Sequence, residues 1–293
     1  MASTDSAVGP GKVAVVTGAG SGMGRSIALA FAARGALVCV VDIERDAAQS
    51  TVDEIVSQGG HGAAYAVDVS DFEAVKAVAD AIYAAHGRVD VLCNNAGVTM
   101  RPFRAIWDGD ISDFRWMMEI NYFGIVHGVL AFVPRMRAQD GHRHIINTSS
   151  FSSLDEVPGH GMYSASKGAV DAFSEVLRAE FKDHGEDIGV TILYPGYVPT
   201  RIGSSERLRK ADERSDARDV KAYAYPLERK AHNTPIPAET VGAMVVEAID
   251  RNLAYCLTHP APVDALNARV RNWERGHLDT QPAAAIHAEA EGA

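Results

Sequence analysis

The sequence predicts an α/β protein built on a single doubly wound parallel sheet with helices on both faces. Three observations predict it. Short, continuously apolar runs recur along the chain, too brief for anything but buried strands. Each is followed by a longer segment with helical periodicity, which makes the repeating unit strand–helix–strand. The first such junction is a glycine-rich turn that follows a strand and opens a helix.

The elements follow in order. Residues 12–17 form a compact apolar strand, and 22–34 a helix with Ile27, Ala28, Ala30 and Phe31 as its inner stripe. Residues 36–42 (ALVCVVD) are the second strand, and the pattern recurs at 63–67, 89–93, 144–148 and 190–194. Helices are expected at 47–58, 72–86, 113–138 and 162–184. Beyond Pro195-Gly196 the texture changes. Glu206, Arg207, Arg209, Lys210, Asp212, Glu213, Arg214, Asp216, Arg218 and Asp219 make a stretch dense in both signs of charge. Such a stretch is either a solvated excursion or a lid, and loops of this length in compact domains are usually functional or disordered. A helix at 235–251 opened by Pro237, a last strand at 254–258 and a helix at 264–277 complete the pattern. The Ala-rich tail, 278–293, is expected to be disordered.

Composition excludes several classes. The 293 residues carry 28 Lys and Arg against 38 Asp and Glu, a net charge of −10, which argues against nucleic-acid or anionic-membrane binding. No uninterrupted apolar run reaches membrane-spanning length, and the first ten residues do not resemble a signal peptide, so a cytoplasmic protein is expected. Cys39, Cys93 and Cys256 lie far apart in apolar runs, which reads as buried thiols in a reducing compartment. The histidines show no metal-ligand spacing, so no metal is expected.

The first turn reads Thr17-Gly18-Ala19-Gly20-Ser21-Gly22-Met23-Gly24. Glycines let the backbone turn sharply and approach a ligand, and the helix N-terminus then presents free N–H groups and a positive dipole end to a pyrophosphate. The second strand ends in Asp42, a carboxylate placed to accept from both hydroxyls of an adenosine ribose and to repel a 2′-phosphate. Ser21 and Ile43, where a phosphate site would want a cation, are neutral, so NAD is expected over NADP. Arg25 and Arg45 are the nearby cations that could weaken this preference.

Tyr163-Ser164-Ala165-Ser166-Lys167 opens the fourth long helical pattern. Residues i and i+4 share a helix face, so Tyr163 and Lys167 can address one ligand. A phenol titrates near ~10, and taking a proton from an alcohol near neutrality needs roughly 3–4 kcal/mol of preferential phenolate stabilisation. A buried ammonium, with the positive ring of an oxidised nicotinamide, is a source of that size.

Together the TGxxxGxG turn, Asn94-Asn95-Ala96-Gly97, the YxxxK pair and Pro195-Gly196-Tyr197-Val198-Pro199-Thr200 resemble the short-chain dehydrogenase/reductase family from about residue 12 to 200. The resemblance implies a Rossmann-like fold in which Gly18, Ser21, Gly22, Met23 and Gly24 hold the dinucleotide. It implies that Asp68 and Val69 border the adenine, and that Asn95, Ala96 and Gly97 lie along the cofactor. Pro195, Gly196, Val198 and Thr200 would approach the nicotinamide amide. Ser150 would polarise the substrate oxygen, with Ser149 as the neighbouring alternative, and Asn121 would hold a water linking Lys167 to solvent. A mid-helix Asn is unfavourable by propensity, which suits a special role. Many family members carry Ala-Gly where this chain has Ser152-Ser153, so the pocket is expected to be less open there.

Met100, Phe103, Trp107, Phe151, Leu154, Val157, Met162 and Tyr197 are candidates for an apolar substrate lining, with Ser150, Ser152, Tyr163 and Tyr197 as substrate contacts. Glu156 and His160 are expected at the surface. The segment around 193–207 resembles the branch of the family acting on bulky secondary alcohols, to which aryl-carbinol dehydrogenases of lignin breakdown belong. The expectation is a single catalytic domain over 1–277 with a lid at about 197–235. It would interconvert a secondary alcohol and a ketone with NAD, as a homodimer or homotetramer. A non-catalytic nicotinamide-binding redox sensor is the alternative, against which the complete Asn–Ser–Tyr–Lys set argues.

Overall fold

The computed structural model describes residues 6–210 and 234–276. The chain divides into two compact units, 1–261 and 262–293. The second contributes, among the described residues, one helix, Val263–Gly276.

Seven parallel strands form one sheet: β1 (Val13–Thr17), β2 (Leu37–Asp42), β3 (His61–Ala66), β4 (Val91–Asn94), β5 (Arg143–Thr148), β6 (Ile188–Tyr194) and β7 (Tyr255–Leu257). Their order is β3-β2-β1-β4-β5-β6-β7, so the direction of winding reverses between β1 and β4. Such reversals open a crevice at the carboxyl ends of the strands. One face of the sheet carries α1 (Gly22–Ala33), α2 (Arg45–Ser57) and α8 (Ala238–Asp250), and the other α3 (Phe72–His86), α5 (Gly124–Arg137) and α7 (Gly161–Asp183). Alternation within β1 explains the two layers. Ala14 and Val16 pack with Ile27, Phe31 and Val245 on one side, while Val13 and Val15 pack with Val75, Ile82, Phe132 and Leu177 on the other. Each fully buried large apolar side chain contributes about 1.5–3 kcal/mol relative to exposure.

Strand and helix ends fall within a few residues of expectation, and the long helix expected at 113–138 shows the largest difference. It begins earlier, as α4 (Ile111–Met118), because Asp110 caps it and exchanges a reciprocal bond with Asp113. It is then interrupted by one wide π-turn, Glu119–Phe123, before α5. A wide turn inserts a residue and re-aims side chains, frequently at functional sites, and here it carries Asn121. The combined run is long and apolar enough to cross a membrane by length and composition alone, but more than half of it is buried in this unit. A short helix not expected from the sequence, α6 (Phe151–Leu154), follows β5 and is capped by Ser150. The three cysteines are buried as expected, and burial raises the thiols of Cys39 to about 12 and Cys256 to about 11.

Of the expected lid, 211–233 lies outside the described residues, as does the tail from 277. The described part, Arg201–Leu208, forms two short 3₁₀ turns kinked at Ser204, with Thr200 capping the first.

Candidate active site

The glycine turn is closed by its own geometry. Gly18 and Gly22 have φ of +62° and +55°, where a side chain would be strained. A Cβ on Gly24 would stand 2.2 Å from the Gly18 carbonyl oxygen, and one on Gly22 would stand 2.9 Å from Thr200. The turn is held on the outside by Asp42, whose carboxylate accepts from the Gly20 N–H (2.8 Å) and the Glu44 N–H (2.9 Å). On the inside Asn95 donates to the Thr17 carbonyl (2.9 Å), while Thr17 Oγ1 accepts from the N–H groups of Asn95 and Ala96. The result is a cleft of about 460 Å³ between β1 and β4. It is lined by Gly18, Ser21, Gly22, Met23, Gly24, Asp42, Asp68, Val69, Asn95, Ala96, Gly97 and Thr200, every one expected from the sequence. Asp68 also accepts from the Ser70 N–H and hydroxyl, so it shapes its own turn.

A second chamber of about 930 Å³ adjoins the first, sharing Ser21, Gly22, Thr200, Arg201 and Ile202. Ser150, Ser152, Tyr163, Pro195, Gly196, Tyr197 and Val198 line it. Ser150 and Tyr163 are hydrogen-bonded to each other. Ser149 donates to the Lys167 carbonyl (3.2 Å) and is not on the chamber's lining, whereas Ser150 is. Ser153 donates back to the Ser150 carbonyl (2.8 Å) and Ser152 N–H donates to Ser150 Oγ (3.1 Å), so the two serines of this loop fix the backbone that presents Ser150.

Lys167 is 2% exposed and donates from Nζ to the Thr148 carbonyl at the end of β5 (2.8 Å). Its Nζ lies 5.8 Å from the Tyr163 ring centre, on the same side of the helix. Burial lowers its pKa to about 8, with Asp171 one turn on opposing that shift. The Tyr163 phenol stands above its ordinary value because burial outweighs the Ser150 hydrogen bond. In the protein alone the phenol is thus raised, not lowered as expected from Lys167.

Asn121 is fully buried. Its Oδ1 accepts from the Val98 N–H (2.8 Å), and its Nδ2 donates to the Val98 carbonyl (3.0 Å) and Ser166 Oγ (3.0 Å). Both amide protons are thus used, and a water could be held only by the second lone pair of Oδ1. Oδ1 and Lys167 Nζ converge on Gly97: a Cβ there would lie 3.2 Å from the former and 3.5 Å from the latter. Gly97 is the point where the cleft floor meets the buried pair.

Several expected lining residues lie elsewhere. Met100 and Met162 belong to a core cluster with Trp116 and Met117, because the π-turn brings α4 over them. Leu154 packs against Phe151, Ile192 and Tyr194, and Trp107 is 85% exposed on a surface turn. His160, expected at the surface, lines the chamber with Phe103, Phe151 and Val157, while Glu156 is exposed as expected.

Sequence reasoning missed how the charged stretch is tied down. Glu44, just past Asp42, pairs with Arg207 (2.7 Å) and Arg201 (3.5 Å), which holds its carboxyl below the ordinary range. Arg209 bonds buried Asp113 (2.6 Å), which also takes Arg104 (3.2 Å). The only sequence signal was the mixture of charges from Glu206 onward, which does not reveal a partner a hundred residues away.

The comparisons with known proteins agree with this geometry. A family model described as short chain dehydrogenase matches residues 12–211. The chain belongs to that family. This short chain dehydrogenase is 35% identical over 248 residues to 1-deoxy-11-beta-hydroxypentalenate dehydrogenase of Streptomyces exfoliatus, covering 85% of this chain and 83% of the relative. Its fold matches a short chain dehydrogenase/reductase from Burkholderia phymatum in complex with NAD, with a TM-score of 0.85, 35% identity and coverage of 93% and 98%. It also matches a metagenomic short-chain oxidoreductase in complex with NADP, with a TM-score of 0.65, 27% identity and coverage of 82% and 90%. As a short chain dehydrogenase it is an oxidoreductase.

Proposed function

We propose that this oxidoreductase interconverts a secondary alcohol and a ketone using NAD, on a bulky apolar or aromatic substrate. The observation that carries the reading is the meeting of two chambers at one proton-handling group. Tyr163 and Ser150 face the apolar chamber, and Lys167 stands behind Gly97 on the floor of the dinucleotide-shaped cleft. The cleft fits NAD: the glycine turn leaves room only for main chain against a pyrophosphate, and Asp42 offers a carboxylate where the ribose hydroxyls would lie. When bound in its oxidised form, NAD would supply both the hydride acceptor and a positive charge beside the phenol.

The protein's part is to orient and to move a proton. Ser150 Oγ and the Tyr163 hydroxyl converge on the substrate oxygen, Ser150 polarising it and Tyr163 taking or giving the proton. Lys167, ammonium-bearing near neutral pH, is held by Thr148 at a fixed distance from the phenol and favours phenolate. Asn121 fixes the Val98 backbone beside it. Pro195–Thr200 and Phe151 close the apolar wall, and the Streptomyces relative, named for dehydrogenation of a hydroxylated compound, supports an alcohol as reductant.

The test is Tyr163→Phe, assayed with NAD on a panel of aryl and alkyl secondary alcohols. A positioned acid/base is worth about 10²–10⁴-fold, so the variant should lose at least a hundredfold in kcat while still binding NAD. Retention of most turnover would overturn the assignment.

A further inference from the structure

The apolar chamber has one feature that a neutral alcohol leaves unused. The guanidinium of Arg101 lines it and stacks 4.6 Å above the Phe103 ring. Phe103 in turn lies 3.9 Å from the His160 ring, and His160 meets Tyr163 edge-on at 6.2 Å. Rings therefore form one continuous wall from the proton-transferring phenol to a cation at the far end. The other arginines of the chamber are committed elsewhere: Arg25 to Glu54, and Arg201 to Glu44. Arg101 has no carboxylate partner among the described residues. Gly203 presses no side chain on it; a Cβ there would stand 3.3 Å from its Nε. His160 adds no charge, since burial and Arg101 hold its pKa down near 4. A guanidinium with no carboxylate partner among the described residues, at the end of an apolar, aromatic chamber, is a receptor for an anion on an otherwise apolar molecule.

Resting on the alcohol–ketone reading above, we infer that the substrate is a hydroxy or keto acid, with an apolar body along Phe103 and His160 and a carboxylate paired with Arg101. A singly charged carboxylate fits better than a phosphate dianion, because one cation is on offer and Glu239 lies on the same lining. Arg101 is exposed, so the pairing is partly screened and its effect moderate.

The experiment compares two hydroxy acids, a para-hydroxyethyl benzoate and a stearate hydroxylated mid-chain, each with its methyl ester. Wild-type enzyme with NAD should favour at least one acid over its ester by about tenfold in kcat/KM. Arg101→Gln should abolish that ratio, and Arg101→Lys should restore part of it. Equal use of acid and ester by the wild type, or a ratio that survives Arg101→Gln, overturns the inference and leaves the alcohol–ketone reading intact. Calorimetric titration of the NAD-loaded protein with the corresponding keto acids and esters reads the anion site without turnover. Preferential binding of the acid, lost in Arg101→Gln, supports the inference even if no alcohol is oxidised, an outcome that would sink only the reading above.

Discussion

Lys167 sets two requirements against each other at the residue scale. Keeping an ammonium 2% exposed costs stability, and its pKa near 8, against 10.5 in the open, corresponds to about 3 kcal/mol at neutral pH. Lys167→Met fills similar volume without charge but leaves the Thr148 carbonyl without its donor, an offset of about 1 kcal/mol. The variant should be inactive yet about 1–2 kcal/mol more stable than wild type at pH 7, measured by urea unfolding. The sign with pH follows from the depressed pKa. Between about 8 and 10.5 the unfolded chain binds the proton and the folded one does not, so the wild type gains stability and the gap narrows. A gap that widened toward pH 10 would contradict this account. That Tyr163 and Lys167 share a helix face and that the glycine turn joins a strand to a helix could be read from the sequence, since each rests on spacing within one turn, whereas Ser150 entered only through the family resemblance. The state of the phenol could not be read there, because it depends on burial by parts of the chain remote in sequence. The lining role of Met100 and Met162 failed for the same reason: apolar residues near a pocket and in a core look alike until packing separates them.

Elements repeat this division between local and distant causes. Apolar strands and amphipathic helices announced themselves through periodicity, and their ends shifted only by caps. The π-turn at 119–123 gave no such signal beyond an ill-placed Asn, because the three bonds that Asn121 makes there go to Val98 and Ser166, both remote in sequence. Equally hidden was the anchoring of Arg201–Leu208. Asp113, fully buried, neutralises Arg104 and Arg209 and so moors the end of that segment to α4. Asp113→Asn leaves two buried guanidinium groups without a counter-charge, which should cost about 3–5 kcal/mol. Arg209→Met added to it should recover part of the loss, and denaturant unfolding of the single and double variants checks both. A double variant no better than the single would show that Arg209 does not depend on Asp113.

For the whole molecule, the reversal of strand order between β1 and β4 places the cleft, and everything that handles a ligand gathers at that edge of the sheet. Saturating NAD at a hundred times its Kd should therefore stabilise the sheet-bearing unit by about 2.7 kcal/mol. Gly24→Val, whose Cβ would collide with the Gly18 carbonyl, should remove that thermal shift and also lower the melting temperature of the unliganded protein. A full shift in the variant would place the dinucleotide elsewhere. The ammonium of Lys167 is tethered to a peptide carbonyl of β5, and the Asn121 amide to the main chain at Val98, so neither leans on the chamber's variable walls. Replacing Val157 or Tyr197 can change which molecule is admitted without moving either tether, which leaves the scaffold free to diversify in taste while Lys167 and Asn121 stay where they are.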